Sequence, residues 1–114
     1  MIVLLFHHAL MKDCLFCKII AKEIPSTMVY EGSQTVGFKD INPKARHHIL
    51  IVPRKHIDSL MSMEESDQGL MGQLIWDAKK IAEQLGLEGY QLKFHVGKKG
   101  GQEVFHVHGH LLAD

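Results

Sequence analysis

One long helical period constrains this chain more than any other feature. Between Ser62 and Gly86 the apolar residues Leu70, Met71, Leu74, Ile75, Ala78, Ile81, Ala82 and Leu85 follow the 3.6-residue repeat, with Ser62 and Glu65 spaced as a capping box and Gly86 at the stop. A helix with one apolar stripe must lay that stripe on something, and 114 residues leave room for one core and one domain. The surface that receives it must come from the rest of the sequence.

Most of that remainder reads as strand. Met28 to Tyr30 and Thr35 to Phe38 are short apolar or β-branched runs around the turn signal Glu31-Gly32-Ser33-Gln34, a hairpin. His48 to Val52, closed by Pro53, has the continuous apolar character of a central strand. Tyr90 to Val96 and Val104 to Leu112 complete the set, joined by the glycine-rich connection Gly97-Lys98-Lys99-Gly100-Gly101. A second, short helix is expected from Cys14 to Glu23, where Leu15, Phe16, Ile19 and Ile20 recur at helical spacing and Pro25 ends the run. Strands cluster rather than alternate with helices, so the fold class is α+β: a largely antiparallel sheet of about five strands with one long and one short helix.

Thirteen basic residues balance thirteen acidic ones. That balance gives no long-range attraction to a polyanion, which argues against nucleic acid and anionic membranes and for a small ligand. The longest apolar run, Ile2 to Phe6, is far short of the roughly 20 residues that span a bilayer. As a signal sequence, Met1 to Leu10 lacks a basic flank and a small-residue cleavage site. Residues 1–11 are therefore read as an N-terminal extension, disordered or non-native, and 12–114 as the domain. The two cysteines stand as Cys14-Leu15-Phe16-Cys17, a spacing that suits a metal site or redox pair better than a long-range disulfide and favours a reducing, cytoplasmic setting.

The chemistry concentrates in His106, His108 and His110. Alternate positions of a strand share a face, so all three imidazoles project together while Val107, Gly109 and Leu111 take the other side. A single histidine is usually a surface or satisfied core residue; three in register form a site. Spacing alone leaves two readings open, an all-histidine metal site or a nucleophile with supporting imidazoles.

His106-Val107-His108-Gly109-His110-Leu111-Leu112 resembles the motif of the histidine triad (HIT) family. The upstream runs Phe16-Cys17-Lys18-Ile19-Ile20, Glu23-Ile24-Pro25, Phe38-Lys39-Asp40-Ile41-Asn42-Pro43, His48-Ile49-Leu50-Ile51-Val52-Pro53, Lys55-His56-Ile57 and Gly100-Gly101-Gln102 are similar, in order, to motifs of its Hint branch. The resemblance implies a homodimer with a sheet continued between subunits, and a hydrolase of purine nucleoside phosphoramidates or related adenylates. In that scheme His108 attacks the α-phosphorus to form a nucleotidyl-histidine, His110 and His48 orient it and stabilise charge, and His106 supports the strand or a metal. Asp40 would bind the ribose hydroxyls, with a turn before Asn42-Pro43 as its plainer role. Leu15, Phe16, Ile19, Phe38 and Ile41 would line the base pocket, or serve only as core. Gly100 and Gly101 would admit a phosphate, with Gln102 contacting the phosphate or leaving group, or form an ordinary hairpin connection.

The resemblance also implies a structural zinc held by Cys14, Cys17, His56 and His106, against the alternative that both cysteines are simply buried small apolar residues. It implies no organic cofactor. Three positions depart from the common pattern: His95 replaces an asparagine that contacts the α-phosphate, Glu103 replaces a serine, and only two residues follow Leu112. The rival functions are a nucleotide-binding interaction protein with vestigial catalysis and a dedicated metal-binding module.

Overall fold

The computed structural model describes residues 13–114, so the expected extension over residues 1–11 lies outside the described residues. The elements run α1 (Leu15–Ile20), β1 (Met28–Glu31), β2 (Thr35–Lys39), β3 (His47–Pro53), α2 (Gln68–Gln84), β4 (Gln91–Lys93) and β5 (Gly109–Ala113). The strands form one sheet in the order β1-β2-β3-β5-β4, every neighbouring pair antiparallel. The α+β architecture with one long and one short helix is the one expected.

β3 is apolar at successive positions because it is covered on both sides. Its odd residues Ile49 and Ile51 join Leu111 of β5 and Leu74, Ala78, Ile81 and Ala82 of α2 in one buried cluster. Its even residues Leu50 and Val52 join Val36 and Phe38 of β2 and Phe16 and Ile19 of α1 in a second. Each fully buried Leu or Ile contributes about 1.5–3 kcal/mol. The close seat of α2 depends on Gly37, where a Cβ would lie 2.8 Å from Ile81 Cδ1. The α2 stripe also carries Asp77, 1 % exposed, whose carboxylate accepts from Thr35 Oγ1 (2.7 Å), Gln73 Nε2 (2.9 Å) and Tyr30 Oη (3.1 Å). Among the described residues, no helix is long and apolar enough to cross a membrane.

Two helix boundaries differ from the sequence reading, each for a local reason. α2 begins at Gln68, not near Ser62, because Leu60–Ser62 and Glu65–Asp67 are separate 3-10 turns. The capping box is Glu64 with Asp67, and Ser59 caps the first turn through Met61 N. α1 stops at Ile20 because Lys22 adopts φ 62 and Glu23 N bonds back to Lys18 O, well before Pro25.

The last two strands are shorter than their patterns. The β3–β5 ladder ends at Ile51↔Gly109, so of the three alternate histidines only His110 lies in a ladder. Upstream of Gly109 the chain is tied instead to the end of β3 and the segment that follows it, by His106 Nε2 to Pro53 O (2.8 Å) and by Val107 N to Ile57 O (2.8 Å).

Candidate active site

The even-numbered face of β3 carries His48 beside Leu50, and β5 places His110 opposite Leu50. His106 and His108 continue on that side, with the Phe16 ring edge-on to His108 at 5.0 Å between centroids and to His106 at 6.0 Å. The three imidazoles therefore share the α1 face although only one is in the sheet.

Backbone groups set the ring tautomers. His106 O is only an acceptor, so the 2.8 Å contact from His108 Nδ1 makes that nitrogen the N–H and leaves the lone pair on Nε2. Lys44 N donates to His48 Nδ1 at 3.1 Å, which puts the proton of a neutral His48 on Nε2. His48 Nε2 in turn donates to His110 Nδ1 at 3.0 Å, with Asp40 Oδ2 at 3.4 Å beside it. His110 is left as an Nε2–H donor, and that atom is buried without a hydrogen-bond partner among the described residues.

Burial disfavours the charged imidazoles. It lowers His48 and His108 below the ordinary histidine value and pushes His110 down to about 4, with His108 and His48 adding to the His110 shift. The site is thus held neutral, with one lone pair on His108 and one donor on His110.

His108 and His110 open on a cavity of about 310 Å³ whose walls include Leu15, Phe16, Ile19, Phe38 and Ile41, with Asp40, His95, Gly101 and Glu103 on its polar side. Ile41 is 88 % exposed and Leu15 44 %, an apolar lip that a planar ligand would cover. Asp40 takes its turn role, with Oδ1 accepting from Asn42 N at 2.8 Å, and also lines the cavity. The His95 ring lies tilted against His110, 4.9 Å between centroids, and His95 with Glu103 also borders an adjoining cleft containing Lys44, Lys93 and His48.

Two residues sit differently from what the resemblance implies. His48 touches His110, not His108; the group that orients His108 is the His106 carbonyl. Gln102 does not line the cavity. Its amide accepts from Gly97 N (2.9 Å) and donates to Asp58 O (2.7 Å) and Val104 O (3.0 Å), so its hydrogen-bonding capacity holds the loop together. Gly97 and Gly101 flank that loop at φ 74 and φ 89, conformations that suit glycine.

Cys14, Cys17, His56 and His106 converge as expected, with one ligand atom from each lying within 4.8 Å of the others. His106 Nε2–H donates to Pro53 O and His56 Nε2 lies 2.8 Å from Asp58 Oδ1, so both Nδ1 atoms present lone pairs inward. They lie 3.1 Å apart, with Cys14 Sγ 3.3 Å and Cys17 Sγ 3.6 Å from His106 Nδ1 and Cys17 Sγ 3.4 Å from His56 Nδ1. A tetrahedral zinc with bonds of ~2.05 Å to nitrogen and ~2.3 Å to sulfur has ligand–ligand edges of about 3.3–3.8 Å. The donor set fits that ion. Burial and the neighbouring Cys14 push the Cys17 thiol up to about 12, a cost that a divalent cation would offset.

The family model described as "Scavenger mRNA decapping enzyme C-term binding" matches residues 13–114. The chain belongs to the histidine triad (HIT) family. Among HIT relatives, it is 47 % identical over 103 residues to Protein HitA of Neisseria gonorrhoeae, covering 90 % of this chain and 96 % of that protein. It is 43 % identical to the 14 kDa zinc-binding protein of Brassica juncea, over 88 % of this chain and 91 % of the other. The crystal structure of a HIT family hydrolase from Legionella pneumophila superposes with a TM-score of 0.85 at 46 % identity, over 88 % of this chain and 91 % of that one.

Sequence reasoning missed several HIT-site participants in this chain. Lys44 N, Pro53 O and His106 O act through the backbone and leave no side-chain signature. Asp58 had a signal, an acid two residues after His56. Ser26 lines the cavity with a buried hydroxyl that has no partner among the described residues.

Proposed function

We propose that this HIT protein is a Hint-type hydrolase that cleaves a purine nucleoside phosphoramidate or related adenylate through a nucleotidyl-histidine on His108. The observation that carries the reading is the tautomer of His108: its Nδ1–H is committed to His106 O, which leaves the Nε2 lone pair for the cavity side. The relatedness to a HIT family hydrolase supports the reaction class.

His108 Nε2 attacks the α-phosphorus, the bond from phosphorus to the leaving nitrogen breaks with its electrons staying on nitrogen, and the amine takes a proton from solvent. The positive charge that develops on the imidazole is spread onto His106 O through Nδ1–H. The His110 Nε2–H donates to a phosphoryl oxygen, and water then splits the phosphorus–Nε2 bond to release the nucleoside monophosphate. Asp40 accepts from the ribose hydroxyls, the apolar walls take the purine, and His95 donates to the phosphate. Cys14, Cys17, His56 and His106 would hold a structural zinc, which supplies a rigid cross-link when bound and leaves no open position for chemistry. Kinship with a protein named for zinc binding supports that assignment.

The test is a pair of variants assayed on adenosine phosphoramidate. His108→Ala abolishes turnover while AMP affinity stays within about tenfold, because the attacking atom is lost and the pocket is kept. Asp40→Ala raises KM more than it lowers kcat, since ribose contacts exist in ground and transition states alike. Near-normal turnover by His108→Ala would refute the nucleophile assignment.

A further inference from the structure

We propose that metal and nucleotide bind this chain cooperatively, with His106 and α1 as the shared parts, an inference that rests on the function proposed above. His106 belongs to both sites: its Nδ1 faces Cys14, Cys17 and His56, and its carbonyl oxygen holds His108 Nδ1 at 2.8 Å. Any movement of His106 on loss of the metal moves the acceptor that fixes the nucleophile's ring.

The second connection runs through α1. Cys14 is its N-cap and Cys17 lies in its first turn, so two of the four metal ligands come from one six-residue helix. The same helix supplies Leu15, Phe16 and Ile19 to the cavity wall, and the Phe16 ring bears on Phe38, His106 and His108. A six-residue helix is too short to persist alone in water and needs an external fastening. The four-ligand cluster provides one, pinning α1 to the segments that carry His56 and His106. Filling it orders the base wall and the nucleophile before nucleotide arrives. By linkage, nucleotide must then tighten the hold on the metal by the same factor.

The experiment measures both legs of that linkage on the full chain. AMP affinity is determined by calorimetry for zinc-loaded protein and for protein stripped by chelator, with far-UV circular dichroism to check that the stripped form is folded. Zinc affinity is determined by competition with a chromophoric chelator, with and without saturating AMP. The expected result is AMP binding about tenfold weaker without zinc and zinc binding about tenfold tighter with AMP, within the usual range of coupling. If the stripped chain unfolds, cobalt-loaded protein keeps the question answerable: AMP should shift the cobalt absorption bands, because His106 transmits its rearrangement to a ligand nitrogen.

Equal AMP affinity in both forms, unchanged zinc affinity and unmoved cobalt bands would overturn the cooperative link while leaving the hydrolase reading intact. Absence of AMP binding in every form would overturn that reading and the link with it. A purely structural metal, one that holds the fold but does not touch the nucleotide site, leaves AMP affinity insensitive to zinc, and zinc affinity and the cobalt bands insensitive to AMP.

Discussion

Replacing Gln102 by alanine separates two roles for a residue that the family resemblance assigns to the phosphate or leaving group. Gln102 is 5 % exposed, and its amide makes three hydrogen bonds to backbone groups. Truncation strands the amide of buried Gly97, which costs about 1–3 kcal/mol as an unsatisfied donor. The carbonyls of exposed Asp58 and half-buried Val104 can turn to water, so each of those bonds costs nearer its net value of about 0.5–1.5 kcal/mol. The total of about 2–6 kcal/mol is a large part of the 5–15 kcal/mol that holds a small domain. Urea denaturation should read this loss as a lower midpoint at unchanged slope. Gln102→Glu is a sharper form of the test: one oxygen keeps the Gly97 bond, but the other replaces a donor 2.7 Å from Asp58 O and 3.0 Å from Val104 O. An ionised carboxylate is repelled there, so stability should be poor at neutral pH and partly recovered as acid protonates it. A Gln102→Ala protein with stability within 0.5 kcal/mol of the parent but much lower kcat/KM would show that the amide serves the phosphate after all.

Two further outcomes follow from the geometry. His110 is held neutral, down to about 4, and His48 and His108 are lowered in the same direction, so the folded state binds fewer protons than the unfolded chain once pH falls below about 6.5. Stability from these groups is fully present above that value and is lost toward pH 4; the melting temperature should fall over this window more steeply for the parent than for His110→Gln, and parallel curves would count against it. The outer edge of β4 lies at the end of the sheet order, and exposed edges are usually covered, so the chain should form a two-fold dimer that continues the sheet. Light scattering that gives a monomer at micromolar concentration would exclude this.

The fold was legible where one residue pattern served one purpose. The stripe Leu74, Ala78, Ile81 and the two-sided apolar run of β3 could only be a covering helix and a central strand. Boundaries were less legible because they depend on which of several capping residues wins: Ser59 and Glu64 each start a turn before α2, Asp67 stands at the start of α2 itself, and the winning box is Glu64 with Asp67, where Lys55 also pairs with Asp67 at 2.7 Å. Asp77 carried a readable signal, an acid on the apolar stripe, but its three donors come from β1, β2 and α2 and no local pattern brings them together. The four metal-type ligands and the cavity wall were legible from the family motifs. The loop-holding role of Gln102 was not legible because its motif position says nothing about which way the amide turns.

The alternate histidines are better understood by nitrogen than by residue. In each imidazole one nitrogen is spent on fixing the ring and the other is kept for a task. His106 gives Nε2 to Pro53 O and keeps Nδ1 for the sulfur cluster; His108 gives Nδ1 to His106 O and keeps the Nε2 lone pair; His110 gives Nδ1 to His48 and keeps an Nε2–H. Two of the fixing groups are carbonyls and the relay to His110 starts at a backbone amide, Lys44 N. Backbone groups cannot change protonation, so the tautomers of His106 and His108 are set by chain geometry, while that of His110 depends on His48 as the intermediary. They would not hold against a shift of register. A one-residue slip of β5 on β3 would turn His110 onto the α2 face and break its bond to His48, and no local side-chain change could restore it. The end of the ladder at Gly109 is what permits the division: it releases His106 and His108 from strand geometry, so that one can reach toward α1 and the metal-type cluster while the other stays with the cavity.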